Sequence, residues 1–312
     1  MKRTKQAQIP DAIITGDIEL RAHTPLCRID NDYWGAQERK IKFISDLANK
    51  YNCPILDGGD LFDKKYKQSP NYFLVSWAIA NIPKPFFTVP GNHDLPGKSM
   101  ENYDRSAMKV LESAGVISNK RFFTLRNRRK VKIYRIPWGE PVERIQIEGS
   151  DSDYNVLLIH TMVYDDNMPF PRCEGYEKGQ LLRMFSNFDL IVSGHHHATF
   201  IGHNKRTNTL LVNPGSLMRN DADQEFFKPS IFLWFAEENR IEQIFLPIEP
   251  GVVSREHLEQ KEEKEERLSA FVEKLGEQAV SGINFEENLQ GILTKVESRN
   301  IINKVWEYYE GV

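Results

Sequence analysis

The sequence predicts an α/β layered core followed by a C-terminal helical tail, and three observations carry that prediction. Short apolar runs bounded by turn residues recur between about residues 10 and 250. Stretches with helical spacing separate several of them, as alternating strand and helix requires. Strand signals then stop at Pro250-Gly251, where charged and amphipathic segments take over.

In order, residues 12–15, 54–56, 85–89, 131–136, 156–159, 190–192 and 210–212 read as buried strands. Ile41, Ile44, Leu47 and Ala48 share one helical face, and Met108 with Leu111 mark another. Residues 231–235 and 241–248 flank Glu237-Glu238-Asn239-Arg240, a hairpin that would close a sheet edge. The charge run 255–267 opens the tail. Leu268, Phe271, Val272 and Leu275 then lie on one face, as do Leu289, Ile292, Leu293 and Val296, and Ile301, Ile302, Val305, Trp306 and Tyr309. These helices need a surface: the core, one another, or a partner chain. A core over 1–250 and a tail over 251–312 are the expected domains.

Bulk composition narrows the class. The chain has 312 residues, 40% hydrophobic and 27% charged, and no stretch approaches the roughly 20 apolar residues of a membrane span. A soluble protein without membrane contact is expected. Residues 1–9 are basic and polar with no apolar segment behind them, which argues against a secretory signal and for a cytoplasmic address. Cys27, Cys53 and Cys173 are odd in number and far apart, so they read as reduced thiols. A net charge of −3 gives no global reason to expect nucleic acid, and such binding would need a local patch or a partner.

The chemistry gathers where the strands end, since ligands of open α/β sheets sit outside the carboxyl ends of the strands. Asp17 and Glu19 follow the first run, and Asp57-Gly58-Gly59-Asp60-Leu61-Phe62-Asp63 the second. The third ends in Gly91-Asn92-His93-Asp94, and later runs end in His160, in Gly194-His195-His196-His197 and in Asn213-Pro214-Gly215-Ser216. Carboxylate, amide and imidazole donors converging on one rim suffice for two metals. With no thiolate among them they suit borderline-hard divalent ions such as Mn²⁺, Fe²⁺ or Zn²⁺, and two such ions about 3.5–4 Å apart support in-line attack on phosphorus.

In order and spacing these pieces resemble the calcineurin-like metallophosphoesterase superfamily, whose signatures are D-x-H, G-D-x-x-D, G-N-H-[DE], a lone His and G-H-x-H. Gly59 to Asp63, Gly91 to Asp94, His160 and Gly194 to His197 match, over about residues 10 to 250. The resemblance implies an α-β-β-α metallophosphoesterase sandwich. It further implies that Asp60 bridges two metals, that Asp17 and His197 hold the first, and that Asn92, His160 and His195 hold the second. His93 would stabilise charge on the phosphate or protonate the leaving oxygen, with Asp94 orienting its ring. Asp63 would be supporting or structural. One position departs: Glu19 stands where the family has His. As a ligand it adds negative charge and favours harder ions, so Mn²⁺ is expected over Zn²⁺. Alternatively the first site is weakened or rebuilt, with His23 as a candidate.

Simpler roles are expected elsewhere. His196 should point away; His23, His203 and His257 read as loop or surface residues; Asp57 reads as a buried turn-capping acid. Arg126-Asn127-Arg128-Arg129-Lys130 reads as a solvated hairpin tip, whereas Arg219 is a candidate to face phosphate.

Beyond the motifs, the layout resembles the SbcD-type DNA repair exonuclease subunit and its bacteriophage relatives, a core of about this length followed by a charged linker and helices. That resemblance implies a Mn²⁺-dependent DNA nuclease, exonuclease or endonuclease, whose tail, through residues 289–296 and 301–309, docks on an SMC-like coiled-coil ATPase. It leaves a homodimer open. Basic residues 2–5, Lys64, Lys65, Lys67 and 126–130 are candidates for DNA phosphate, and Phe62, Tyr66, Trp138 and Tyr164 for stacking on an unpaired end. A small-molecule or nucleotide phosphodiesterase is the second reading, and a catalytically weak binding subunit the third.

Overall fold

The computed structural model describes residues 8–63, 70–147, 151–278, 285–294, 296 and 299–310. The chain divides into two compact units, Met1–Val253 and Ser254–Val312.

The first unit is built on two sheets. One contains β1 (Ala12–Thr15), β2 (Ile55–Asp57) and β3 (Phe86–Phe87), in parallel, with β12 (Ser230–Phe235) and β13 (Arg240–Phe245) added antiparallel beyond β1. The other runs β10 (Phe200–Asn204), β11 (Thr209–Asn213), β9 (Leu190–Gly194), β6 (Tyr154–His160), β5 (Lys130–Ile136) and β4 (Phe122–Thr124). Its four central strands are parallel and its two edge strands antiparallel. A short parallel pair, β7 (Val163–Tyr164) with β8 (Tyr176–Glu177), stands apart.

Strand alternation sorts the side chains into layers. Ala12, Ile14, Leu56, Phe87, Val156, Leu158, Leu190, Val192, Phe232 and Trp234 form one core shared by both sheets. Their neighbours Ile13, Ile55, Ile231 and Leu233 face the other way, onto α1 (Tyr33–Tyr51), α2 (Tyr72–Asn81) and α3 (Ala107–Ser113). Leu157, Ile159, Ile191 and Leu211 likewise meet α4 (Lys178–Met184) through Leu181 and Leu182. This is the expected α-β-β-α sandwich, in which each fully buried aliphatic side chain contributes roughly 1.5–3 kcal/mol. Helix α1, which carries Ile41, Ile44 and Ala48 inward, starts where the Asp32 side chain accepts from Gly35 N–H and stops at Asn52 in the left-handed region.

Strands 54–56, 85–89 and the hairpin shift by one to three residues from the sequence expectation, while β7, β8, β10, α2 and α4 have no counterpart in it. The short strands are too brief to show a run, and α2 is apolar on nearly every face, which erases the 3.6-residue period.

In the second unit the run 255–267 is no linker. It is the first half of α5 (Glu256–Gln278), favoured by helix-forming Glu, Lys, Gln and Arg, by acids in the first turn and by the Glu263–Arg267 pair one turn apart. Leu268 of α5 joins Leu289, Ile292 and Leu293 of α6 (Phe285–Leu293) and Ile302, Val305 and Trp306 of α7 (Arg299–Glu310) in one small core. The tail helices thus pack on one another; the side chains of Leu275 and Tyr309 lie outside the described residues. Among the described residues no helix is long and apolar enough to cross a membrane. The three cysteines are buried and form no disulfide.

Candidate metal centre

The parallel strands of both sheets deliver their carboxyl ends to one rim, where the backbone is bent to aim side chains inward. Asp17, Glu19, Asp60 and His195 all take positive φ, an unfavourable conformation for such residues that clusters at functional sites. The turns are tight enough to demand glycine: a Cβ on Gly91 would lie 2.0 Å from Asp60 Oδ1, and one on Gly59, at φ 101°, 2.6 Å from His160 Nδ1.

Two donor groups result. Asp60, His160 and His195 offer ligand atoms within 4.8 Å of one another, as do Glu19, Asp63 and His93. Asn92 joins the first group, its Oδ1 lying 3.2 Å from His160 Nε2 and 2.8 Å from His195 Nδ1. His160 Nδ1 stands 2.8 Å from the Gly58 carbonyl, and donation there leaves Nε2 free to ligate. The four residues assigned to the second metal are thus brought together.

The residues expected at the first site lie around these groups. Asp17 accepts from His195 N–H through Oδ1, and His197 Nε2 lies 3.3 Å from Glu19 Oε1, so both border the two groups rather than joining either. Glu19 itself is buried within the site. Its Oε2 accepts from Asn220 Nδ2 at 2.9 Å, its Oε1 is 3.7 Å from His93 Nδ1, and Tyr33 donates to Asn220 Oδ1 behind it. His23 is exposed on the loop and stands in neither group.

The carboxylate beside His93 also differs. Both oxygens of Asp94 accept backbone N–H groups, from Phe62 and Gly91, so Asp94 ties two motif loops together instead of orienting the ring. Asp63 lies against the ring, Oδ1 3.3 Å from His93 Nδ1, close enough for an ion pair yet not aligned as a hydrogen bond, while its Oδ2 meets Arg21 at 2.8 Å.

The electrostatics are those of buried carboxylates that hold cationic partners. Burial would lower the pKa of His93, but Asp63, Asp60 and Glu19 outweigh it and raise it to about 9. His160, buried beside Asp60 and Asp17, rises to about 9, and His197, beside Glu19 and Asp17, to about 10. Burial would raise Asp60, yet His160 and His93 hold it below the usual carboxylate range. Burial and the neighbouring His160 push His195 down to about 3, which keeps it a neutral donor. Asp17 Oδ2 is buried without a hydrogen-bond partner among the described residues, as befits an oxygen directed to a cation. Oxygen and imidazole donors, an unsatisfied buried carboxylate oxygen and no thiolate fit a pair of divalent ions.

Other expectations resolve simply. His196 turns away, with Nδ1 2.8 Å from the Val163 carbonyl. Asp57 accepts from Thr15, Thr88 and Gly59 N–H, a structural role. Phe62 is fully buried packing, and residues 2–5, Lys64, Lys65, Tyr66 and Lys67 lie outside the described residues. Residues 126–130 form an exposed turn leading into β5. Arg219 does not face the metal centre: it donates to the carbonyls of Glu225 and Glu249. Trp138 packs on His195 with ring centroids 4.7 Å apart. Asn220 and the contact between Asp63 and His93 were missed, although Asp63 closes its motif and Asn220 follows Ser216 closely, because neither partner is near in sequence.

The family described as calcineurin-like phosphoesterase matches residues 12–199. No curated protein matches the chain. Among solved structures, Vps29 from Entamoeba histolytica, complexed with zinc, is 12% identical with a TM-score of 0.34, over 76% of this chain and 99% of that one. A dimetal phosphatase from Danio rerio is 8% identical with a TM-score of 0.43, over 77% and 100%. A 5'-nucleotidase precursor from Thermus thermophilus is 13% identical with a TM-score of 0.42, over 80% and 56%. Similarity at this level says nothing about substrate.

Proposed function

The chain belongs to the calcineurin-like phosphoesterase family, and on that premise we propose that it is a Mn²⁺-dependent DNA nuclease working with an SMC-like ATPase. Membership and the candidate two-metal site together point to metal-dependent phosphoester hydrolysis. When bound, two divalent ions polarise a phosphoryl oxygen and lower the pKa of the attacking water. Asn92, His160 and His195 would hold one ion, Asp17, Glu19 and His197 the other, and Asp60 both. His93 turns Nδ1 to the carboxylates of Asp63 and Glu19. Its Nε2 is left to give a proton to the leaving oxygen.

The observation that carries the DNA reading is the order of parts along the chain: a phosphoesterase core ending near residue 253, then a separate helical unit opening on a heavily charged helix. Ile301 and Tyr308 remain exposed on α7 and suit a helical partner. Mn²⁺ is favoured over Zn²⁺ because Glu19 adds a hard anionic donor.

The test incubates the purified chain with end-labelled single- and double-stranded DNA in Mn²⁺, Mg²⁺ or EDTA, beside a small chromogenic phosphodiester and a His93→Ala control. Mn²⁺-dependent loss of DNA that the control lacks supports the nuclease. Cleavage of the diester alone would replace it with a nucleotide-scale phosphodiesterase, and turnover of neither, with or without an ATPase partner, would leave a binding subunit.

A further inference from the structure

A second polar cavity lies in the first unit, with a volume of about 210 Å³, and it shares no lining residue with the metal centre. Arg28, Arg39, Lys40 and Arg219 line it, with Glu249 as its one acidic wall residue. Arg28 is paired with Asp30, and Arg39 with Asp32 and Glu249. The remaining two cations have no carboxylate within ion-pair distance among the described residues. Lys40 is 4% exposed, and its ammonium donates to the Leu217 carbonyl at 2.7 Å. Arg219 is 3% exposed, spends its Nη atoms on two carbonyls and leaves Nε buried with no hydrogen-bond partner among the described residues.

Two buried, uncompensated cations are costly, and proteins place them where an anion completes them. Guanidinium forks match the geometry of tetrahedral oxyanions, and an ammonium adds a point charge. The cavity is smaller than the ~300 Å³ lower bound of ordinary small-molecule pockets, which restricts the ligand to a small ion. We propose that the cavity walled by Arg28, Arg39, Lys40 and Arg219 is a binding site for a free phosphate-sized oxyanion.

The wall of this site leads to the metal centre. Leu217, whose carbonyl accepts the hydrogen bond from Lys40, donates its own N–H to the Asp17 carbonyl, and Asn220, next to Arg219, holds Glu19. Cleavage of a phosphodiester leaves its phosphorus as a phosphomonoester and releases no free phosphate, so the site stands independently of the proposed activity.

Calorimetric titration of the full chain with inorganic phosphate tests the assignment, with Asp60→Ala used to remove any binding at the metal centre. The site predicts saturable binding that survives Asp60→Ala and weakens by on the order of tenfold or more in Arg219→Gln. Glu249→Gln, at an exposed side chain whose loss removes the opposing charge, tightens it about threefold. A gain of affinity cannot come from misfolding, so this variant decides the matter if Arg219→Gln fails to fold. Phosphate binding that disappears in Asp60→Ala, or an affinity unchanged in Glu249→Gln, overturns the proposal.

Discussion

Asp63 Oδ1 lies 3.3 Å from His93 Nδ1, and the same carboxylate meets Arg21 through its other oxygen. The residue that closes the second motif therefore fixes the histidine of the third. Asp63→Asn is expected to lower kcat about 10- to 100-fold while retaining the metals. His93 owes part of its raised pKa to Asp63, so it stays protonated to higher pH with that carboxylate than without it. The alkaline limb of the kcat profile in Asp63→Asn should accordingly move to lower pH. Asp94→Asn should reduce thermal stability without moving that limb, since Asp94 binds backbone.

Gly91 is the close neighbour of Asp60. In Gly91→Ala the new methyl would meet Asp60 Oδ1 at 2.0 Å, so the carboxylate must move. Metal affinity, read by competition with a chelating dye, is expected to fall at least ~10-fold with the secondary structure retained by circular dichroism. Unchanged affinity would mean that Asp60 is not a ligand.

Glu19 replaces an imidazole with a carboxylate that Asn220 holds in place. Glu19→His should shift the metal that best supports activity from Mn²⁺ toward Zn²⁺. A metal reconstitution series run on both proteins would show the same order if Glu19 has no hand in selection.

Lys40 supplies a pH dependence of stability. Burial, with Arg28 and Arg219 nearby, lowers its pKa from 10.5 to about 7. The unfolded chain therefore binds more protons than the folded one between pH 7 and 10.5, and stability gained from this group rises with pH across that window. Below pH 7 both states are protonated and the full penalty applies. Urea unfolding midpoints between pH 7 and 9.5 should climb more steeply in the wild type than in Lys40→Met; parallel slopes would remove Lys40 as the source.

Much of this was legible in the sequence because the motifs are local. Asp60, Asn92, His160 and His195 each end an apolar run, so their shared rim follows from strand direction alone. The pairing of Asp63 with His93 and the anchoring of Glu19 by Asn220 were not legible, since each joins loops far apart in the chain. Arg219 sits close to a motif loop, yet a short turn carries it into a different cavity, which periodicity does not register. Helix α2 was hidden by its uniform apolarity, and α5 by a charge density that reads equally as a solvated linker.

Asp60 is the residue proposed to serve both metals. Electron paramagnetic resonance of the Mn²⁺-reconstituted chain, with metal counted on the same sample, tests it most directly. Two spin-coupled Mn²⁺ ions per wild-type chain, and no coupled pair in Asp60→Ala, are expected. An uncoupled single ion in the wild type, or an intact coupled pair in Asp60→Ala, would contradict it.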